Sequence, residues 1–269
     1  MVLRYTVIDP TKNITLLVTT PVQRSLQAQT AAWLLRREKD AEQVGFLEES
    51  DTAPARLQMM GGEFCGNATM SLGAWLCRKQ HLPIGESRDF RLDISGADEL
   101  VPCSVTAVRG GYIGTVSLPL PLSVEQRSFP TDRGEVTLPV VTFPGICHIV
   151  APTGTVQPYE AEALLQRWSA ALPFDAVGLI LLDEQRMHID PLVYVKPTDT
   201  AVWERGCGSG SAAAACALTH RRGAEQCLSI KQPGGTIAVT TQWNGSAVTG
   251  LTITGTVSLG REKTVDVVF

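Results

Sequence analysis

The sequence predicts an α/β (α+β) protein made of two similar units related by a pseudo-two-fold axis. Two observations predict this class. Helix and strand patterns follow one another in the same order in both halves, and short Gly-rich connections join the strands beyond them. Landmarks of the first half of this 269-residue chain also recur about half a chain length later: Gly45 and Gly178, Cys65 and Cys207, Gly96 and Gly235.

In the first half, residues 25–38 have helical spacing, with apolar side chains at positions 26, 31, 34 and 35. The run QVGFLEES at 43–50 predicts a strand, and ATMSLGAWLCRK, which begins at residue 68, predicts a second helix. DFRLDISG at 89–96 predicts a further strand and its turn. The alternating runs ELVPCSVTAV and GGYIGTVSLPL then predict antiparallel strands, because a Gly-rich turn connects them.

The second half repeats this order, with a helix at 160–172, strands at 176–184 and 188–195, and a second helix, SAAAACALTHRR, at 211–222. CLSIKQPGG and two alternating runs follow that helix. We therefore predict a first domain at 1–122 and a second at 123–262, with the segment 263–269 as a strand that could return to the first domain. The Pro-rich stretch 119–130 is the best linker candidate.

Composition excludes several classes of function. The net charge is −4 without a basic run, which argues against nucleic acid as a partner, because neutralising phosphates needs clustered Lys and Arg. The first residues lack the apolar core of a signal peptide, and no apolar run is long enough to span a bilayer. We therefore expect a cytoplasmic protein without a membrane partner. Its seven cysteines contain no C-x-x-C pair and are expected to be thiols.

Two of these cysteines, Cys65 and Cys207, stand at the start of a predicted helix and are followed by Gly. The backbone N–H groups of a helix start stabilise an anion, so we expect them to lower the pKa of each thiol. Asn67 and Ser209 lie one residue beyond the Gly, where they could reach a ligand. If the pseudo-two-fold axis brings both helix starts together, two thiols face each other across amide donors that suit a carboxylate.

Opposed thiols around a carboxylate suit the transfer of an amino acid's α-proton from one face to the other. One thiolate removes the proton, the other thiol delivers one, and the amides stabilise the charge that develops. This scheme needs neither pyridoxal phosphate nor a metal, and the sequence has no P-loop and no metal-ligand spacing. We interpret His148 and His188 as hydrogen-bonded structural histidines, and expect five cysteines to be buried apolar residues: Cys77, Cys103, Cys147, Cys216 and Cys227.

These motifs resemble the diaminopimelate-epimerase superfamily of cofactor-independent racemases over nearly the whole chain. The resemblance includes EQVGFLE at 42–48, FCGNATMS, SGADELVPCSV, CGSGSA and QPGGTIAV. It implies two α/β domains, each a barrel-like, mostly antiparallel sheet around a central helix, with one catalytic cysteine per domain. Within the superfamily, EFCGNATMS, DEQR and the W-E-x-x-C-G-S-G element are most similar to the histidine racemases that supply D-histidine for opine-type metallophores of the staphylopine kind.

The resemblance implies that Cys65 and Cys207 are the two acid/base residues. It also implies substrate-binding roles for eight residues. Four of them would hold the α-carboxylate: Gly66, Asn67, Gly208 and Ser209. The other four would hold the ammonium group and the side chain: Asn13, Glu42, Gln43 and Glu204. From the sequence pattern alone, Asn13 could equally be a turn-forming residue.

Departures from the diaminopimelate enzymes favour a substrate with a single α-centre. The segment MMGGEF before Cys65 lacks the family's Asn, Glu204-Arg205-Gly206 directly precedes Cys207, and GICH at 145–148 replaces Gly-Asn-Pro-His. Histidine is the favoured substrate, whereas Arg205 could hold a distal carboxylate. Diaminopimelate epimerase and proline or hydroxyproline epimerase stay open as alternatives. A redox disulfide protein, a non-catalytic amino-acid-binding protein and a homodimeric assembly are further hypotheses.

Overall fold

The structure is a computed structural model that describes residues 1–267. Its helices are α1 (Arg24–Arg37), α2 (Gly66–Lys79), α3 (Pro158–Ser169) and α4 (Gly208–Arg222). Its strands are β1 (Val2–Pro10), β2 (Thr15–Val18), β3 (Gln43–Glu48), β4 (Arg56–Met59), β5 (Ser87–Ile94), β6 (Val101–Val108), β7 (Gly111–Ser117), β8 (Ser123–Thr131), β9 (Gly134–Phe143), β10 (Ile146–Pro152), β11 (Ala176–Asp183), β12 (His188–Val195), β13 (Thr200–Trp203), β14 (Gln226–Gln232), β15 (Gly235–Trp243) and β16 (Val248–Asp266).

The chain divides into two compact units. Unit 1 contains Met1–Leu118 and the C-terminal segment from Thr254, and unit 2 contains Pro119–Ile253. Strand β16 therefore begins in unit 2 and ends in unit 1. Its last residues pair antiparallel with β1, with Asp266 opposite Val2, so residues 263–266 of the segment 263–269 return to the first half of the chain. Val268 and Phe269 lie outside the described residues.

Unit 1 is a closed ring of strands in the order β1-β2-β3-β4-β5-β6-β7-β16, with β16 hydrogen-bonded back to β1. The pairs β2–β3 and β4–β5 are parallel, and each is bridged by a helix, because a parallel connection must cross over the sheet. Helix α1 makes the first crossover and α2 the second. Closure leaves this sheet without a free edge among the described strands.

Helix α2 is the central helix of unit 1. It contacts β1, β2, β5, β6 and β7, and every residue from Asn67 to Cys77 is buried. A helix that is buried on all faces must be apolar all round, which the sequence MSLGAWLC satisfies. Helix α1 instead packs on the outside, where Ala31 and Leu34 join the buried side chains of β1, β2 and β3. The ring thus holds the N-terminus of α2 in a fixed place.

Unit 2 has the strand order β8-β9-β10-β11-β12-β14-β15-β16, with β13 paired to β12. The pairs β10–β11 and β12–β14 are parallel, and α3 and α4 make their crossovers. Helix α4 contacts strands near both ends of this order, from β8 to β15, so the sheet wraps around it. Its Ala-rich sequence lets the strands approach closely, and the residues from Gly210 to Thr219 are buried. The α+β class with barrel-like sheets around central helices is confirmed.

The predicted linker at 119–130 is wrong for most of its length. Residues Ser123–Thr131 form β8, which pairs antiparallel with β9 over its whole length. Pro130 is compatible with this strand because β8 ends the strand order, where a missing N–H costs no sheet hydrogen bond. Of the predicted linker, only residues 119–122 lie outside a strand, between β7 and β8. No helix among the described residues is long and apolar enough to cross a membrane.

Candidate active site

Cys65 and Cys207 are the N-cap residues of the two central helices. Both have extended backbones, with φ −136° and ψ 112° at Cys65 and φ −107° and ψ 105° at Cys207. Each sulfur accepts a hydrogen bond from the N–H three residues later, at 3.4 Å from Ala68 and 3.2 Å from Gly210. The sulfur therefore takes the place of the Ser or Asp oxygen that usually caps a helix.

The first turn is built in the same way at both helix starts. The carbonyl of each cysteine accepts the N–H and the hydroxyl of the residue four positions later: Thr69 at 2.9 and 2.8 Å, and Ser211 at 3.0 and 2.8 Å. The N–H groups of Gly66, Gly208 and Ser209 lie in the first turn of their helix, where no carbonyl of the same helix is in position to accept from them. They point along the helix axis at its positive end, which is a ready site for an anion such as a carboxylate.

The Cys65 site joins four residues that the sequence singled out. The thiol of Cys65 donates to Gln43 Oε1 at 3.2 Å, and Gln43 Nε2 donates to Asn13 Oδ1 at 2.7 Å. Asn13 Nδ2 in turn donates to Glu42 Oε2 at 2.6 Å. Gln43 is also fixed by Thr15 Oγ1 at 2.8 Å. Asn13 and Gln43 are buried, so this network holds polar groups in defined orientations beside the thiol.

The turn after β5 braces the loop that leads to Cys65. Ser95 Oγ donates to the Glu63 carbonyl at 2.8 Å and accepts from the Met59 N–H at 3.0 Å. Gly96 follows with φ +72°, and a Cβ atom there would overlap the backbone of Glu63 and Phe64. This position accordingly requires glycine for two reasons, its left-handed backbone and the close approach of the loop. The landmark Gly96 is thus part of the support of Cys65.

The Cys207 site has a different set of partners. Cys207 is buried, and its thiol is hydrogen-bonded with Glu204 and lies 3.6 Å from Ser209 Oγ. Burial is the main cause that raises the pKa of Cys207 well above its usual range, and the charge of Glu204 and the hydrogen bond with it raise it further. The hydrogen bonds from Ser209 and from the Gly210 N–H act in the opposite direction.

The expectation that the helix start lowers the pKa of this thiol is therefore wrong for Cys207. The amide donors do favour the thiolate, but the loss of solvation and the neighbouring carboxylate of Glu204 outweigh them. The raised pKa keeps the proton on the sulfur, which donates its hydrogen bond to the Glu204 carboxylate.

Gln232 is a supporting residue that sequence reasoning missed. Its Oε1 accepts the Cys207 N–H at 2.7 Å, and its Nε2 donates to Ser211 Oγ at 3.1 Å. The neighbouring Gly234 N–H donates to the Arg205 carbonyl at 2.7 Å. The QPGG turn after β14 therefore braces the loop before Cys207, as the turn after β5 braces the loop before Cys65. The recurrence of Gly at 96 and 235 was the available signal.

The structural interpretation holds for most of the other thiols. Burial raises the pKa of Cys77 and Cys147 to about 11 and that of Cys103 and Cys216 to about 12, as expected for inert core residues. Cys227 is the exception. It lies exposed on β14, because alternate side chains of this strand face solvent. The prediction that Cys227 is buried is wrong.

The two histidines differ. His188 is partly exposed on β12, with Nδ1 3.7 Å from Asp190 Oδ2, whereas His148 is fully buried on β10. The ring of His148 makes its hydrogen bond with Ser209, 3.0 Å from Nε2 to Oγ, so this histidine is connected to the Cys207 site. The strand pattern around His148 gives no sign of this connection. The element GICH was the signal for a site role.

Known proteins agree with this fold. The chain is 30% identical over 252 residues to a histidine racemase of Staphylococcus aureus, covering 90% of this chain and 89% of that protein. It is 27% identical over 241 residues to a histidine racemase of Fusobacterium nucleatum, covering 87% and 88%. Its fold is similar to that of a probable proline racemase from Agrobacterium radiobacter, with a TM-score of 0.70 at 17% identity, covering 98% of this chain and 93% of that one.

The fold and the relatives define an isomerase, a cofactor-independent amino-acid racemase or epimerase. The family model described as "Histidine racemase CntK N-terminal domain" matches residues 2–265. The chain therefore belongs to the histidine racemase family.

Proposed function

We propose that the protein interconverts L- and D-histidine by a two-base mechanism in which Cys65 and Cys207 act on opposite faces of the substrate. The observation that supports this best is the repeated helix start: each central helix presents one thiol at its N-cap beside first-turn amides. A thiol and an anion site at the same helix start provide the two functions that α-proton transfer from an amino acid needs.

In the proposed reaction, first-turn amides hold the α-carboxylate at Gly66, Asn67, Gly208 and Ser209. One thiolate removes the α-proton, and its sulfur becomes a thiol. The electron pair left on the α-carbon is delocalised into the carboxylate, whose growing charge the amides stabilise. The thiol on the other face then gives its proton to the carbon and becomes a thiolate. Protons and charge balance, and the enzyme ends with the roles of its two thiols exchanged.

The polar residues around each thiol suit distinct tasks. Glu204 is hydrogen-bonded with Cys207 and, together with burial, favours the protonated sulfur, so the Cys207 thiolate of the proposed reaction depends on the opposing hydrogen bonds from Ser209 and from the Gly210 N–H. At the other site Gln43 Oε1 accepts from the Cys65 thiol, and an amide oxygen favours the protonated sulfur. The network of Asn13, Gln43 and Glu42 supplies oxygens for an ammonium group. We propose that this network binds the α-amino group.

Histidine is proposed as the substrate because the family and the most similar relatives are histidine racemases. Diaminopimelate or proline would be the alternative substrates within the same reaction class. Arg205 is exposed beside the Cys207 loop and could favour a substrate with a distal carboxylate. A panel of amino acids separates these cases.

The test is cofactor-free incubation of reduced protein with single L-amino acids in deuterium oxide. We expect deuterium at Cα of histidine together with loss of optical rotation. Exchange with diaminopimelate but not with histidine would contradict the proposed substrate, and no exchange with any amino acid would contradict the reaction. Cys65→Ser and Cys207→Ser should each abolish racemisation, while Cys227→Ser, which removes an exposed thiol, should keep it.

Two finer proposals follow from the resemblance. D-Histidine would serve as the precursor of an opine-type metallophore, so deletion of the gene should remove that metallophore from the medium and added D-histidine should restore it. A homodimer is the proposed assembly, which sedimentation at several concentrations tests. The cytoplasmic location stays a prediction, which fractionation of cells would check.

A further inference from the structure

His148 is a buried titratable residue that the proposed reaction does not use. It lies on β10 with no exposed surface, and its Nε2 is 3.0 Å from Ser209 Oγ. The same hydroxyl oxygen is 3.6 Å from Cys207 Sγ, within hydrogen-bonding range for sulfur. An imidazole, a hydroxyl and a catalytic thiol are therefore connected in one short line inside unit 2.

The imidazole is held in one orientation. His148 is paired in parallel register with Gly178 on β11, and a Cβ atom at Gly178 would overlap Nδ1 of the ring. The ring therefore lies against the backbone of its neighbouring strand, where only glycine leaves room. Phe143 on β9 packs edge-on at 6.3 Å between ring centroids. A ring confined in this way is fixed in position by the sheet.

The surroundings of Nδ1 decide which nitrogen carries the proton. Nδ1 is fully buried and has no hydrogen-bond partner among the described residues. A buried N–H donor without an acceptor is rarer in proteins than a buried acceptor without a donor. The proton is accordingly favoured on Nε2, which donates to Ser209 Oγ. The hydroxyl hydrogen of Ser209 is then free to point at Cys207 Sγ, because Ser has one donor and further acceptor capacity.

We propose that His148 is a positioning residue that orients the Ser209 hydroxyl as a hydrogen-bond donor to the Cys207 thiolate. The proposal rests on the proposed function, in which this thiolate forms. The opposite tautomer would make Ser209 donate to Nε2 and accept from the thiol instead, which would favour the protonated sulfur. The tautomer of one buried ring thus decides which form of Cys207 is stabilised.

The proposed hydrogen bond from His148 to Ser209 requires an uncharged imidazole. Burial lowers the pKa of His148 to about 3, so the ring stays uncharged at neutral pH. Cys207, the N-cap of α4, and Ser209 face the imidazole line, and Glu204 reaches it through its hydrogen bond with Cys207, while Phe143 and Gly178 present no charge to it. His148 therefore acts through the direction of one hydrogen bond and exchanges no proton with the substrate.

The first experiment does not depend on activity. Long-range ¹⁵N–¹H NMR of the ¹⁵N-histidine-labelled full chain reports the tautomer of each of its four histidines, and His148→Gln assigns the signal. We expect His148 to carry its proton on Nε2 and to stay neutral from about pH 8 to about pH 5. A proton on Nδ1, or titration within that range, would overturn the proposal even if histidine proves not to be the substrate.

The second experiment is kinetic and uses the substrate identified by the exchange panel. His148→Leu removes the donor at similar size, and His148→Gln returns an N–H near the position of Nε2. We expect Leu to lower kcat roughly tenfold to a hundredfold, the value of one charge-assisted hydrogen bond, with KM little changed. The pH–rate limb that reports Cys207 should move to higher pH by about one to two pH units. Gln should restore most of both values.

A merely structural role predicts a different result. Leu and Gln would then lower activity alike and leave the pH profile in place, which would overturn the proposal. Ser209→Ala covers the case in which a His148 variant does not fold. It deletes only one oxygen atom, the hydroxyl oxygen that lies between the His148 ring and the Cys207 thiol. It should move the same pH limb in the same direction, and Ser209→Ala with His148→Leu should be no worse than Ser209→Ala alone. An unmoved limb in Ser209→Ala would refute the proposed hydrogen bond.

Discussion

Replacing Gln232 with leucine should both destabilise unit 2 and disable the Cys207 site. The Gln232 side chain is 5% exposed and connects β14 to the start of α4 through two hydrogen bonds. Leucine has a similar volume but no polar atom, so Gln232→Leu removes both bonds without opening a large cavity. The effect should therefore come from hydrogen bonding alone.

The expected loss of stability follows from the two polar groups that lose a hydrogen-bond partner. The Cys207 N–H, 2.7 Å from Gln232 Oε1, lies in a buried environment and would lose its acceptor, which costs about 1–3 kcal/mol. Ser211 Oγ would lose the donor at 3.1 Å but keep its bond to the Cys207 carbonyl, which costs about 0.5–1.5 kcal/mol. Together, the free energy of unfolding should fall by about 1.5–4.5 kcal/mol.

Urea unfolding followed by circular dichroism measures this change, as a midpoint shift of roughly 1 M for a urea dependence of about 3 kcal/mol per molar. Racemase activity should fall as well, because the N-cap that places the thiol is no longer anchored. Gln126→Leu is the matched control: it makes the same chemical change at an exposed position on β8 and should shift stability by less than about 0.5 kcal/mol. Equal midpoints for the two variants would refute the assigned role of Gln232.

Three further outcomes are expected. The pKa of His148 is about 3 in the folded chain and about 6.5 in the unfolded chain, so between these pH values only the unfolded chain binds the proton. The free energy of unfolding should therefore fall as the pH drops from about 6.5 toward 3, by up to about 1.4 kcal/mol per pH unit. Urea titrations of His148→Gln at several pH values should lack this slope. Gly178→Ala should lower stability by about 1–3 kcal/mol in thermal unfolding, because its Cβ overlaps the imidazole, and a loss that persists unchanged when His148 is also replaced by Ala would contradict that cause. Brief iodoacetamide treatment of native protein should alkylate the exposed Cys227 and the partly exposed Cys65 first, as measured by peptide mass spectrometry. The fold would be contradicted by early labelling of the buried thiols Cys77, Cys103, Cys147 and Cys216.

The parts of the fold that follow from local patterns could be predicted from the sequence. The sequence predicts helix α2 after Cys65 because a cap, a glycine and a continuous apolar run stand next to each other in the chain. The return of residues 263–266 to β1 could only be raised as an option, since strand pairing between chain ends leaves no local signal. The linker at 119–130 failed for a related reason: a Pro-rich edge strand and a Pro-rich linker have the same composition.

The candidate site divides in the same way. Cys65 and Cys207 could be found because each lies within a short motif. Gln232 and His148 carry only weak signals, the recurrent Gly of QPGG and the GICH element. Gln232 lies 25 residues after Cys207, His148 lies before α3 and β11, and only the folded sheet brings them to Cys207. The pKa of Cys207 could be predicted only in part. The helix start is visible in the sequence, but the burial that outweighs it depends on the complete sheet around α4.

The two cysteine sites share a backbone frame and differ in the groups that touch sulfur, and a racemase needs both properties. L and D substrates have equal free energy in water, so any variant must have the same kcat/KM in both directions, however different its two sites are. What unequal partners can change is the resting protonation state. Gln43 favours a thiol at Cys65, whereas at Cys207 the hydrogen bond from Ser209 favours the thiolate, and burial and Glu204 oppose it. In the proposed two-base reaction, the repeat would supply two equivalent helix starts, and the residues that differ between them would set the protonation state from which each thiol begins.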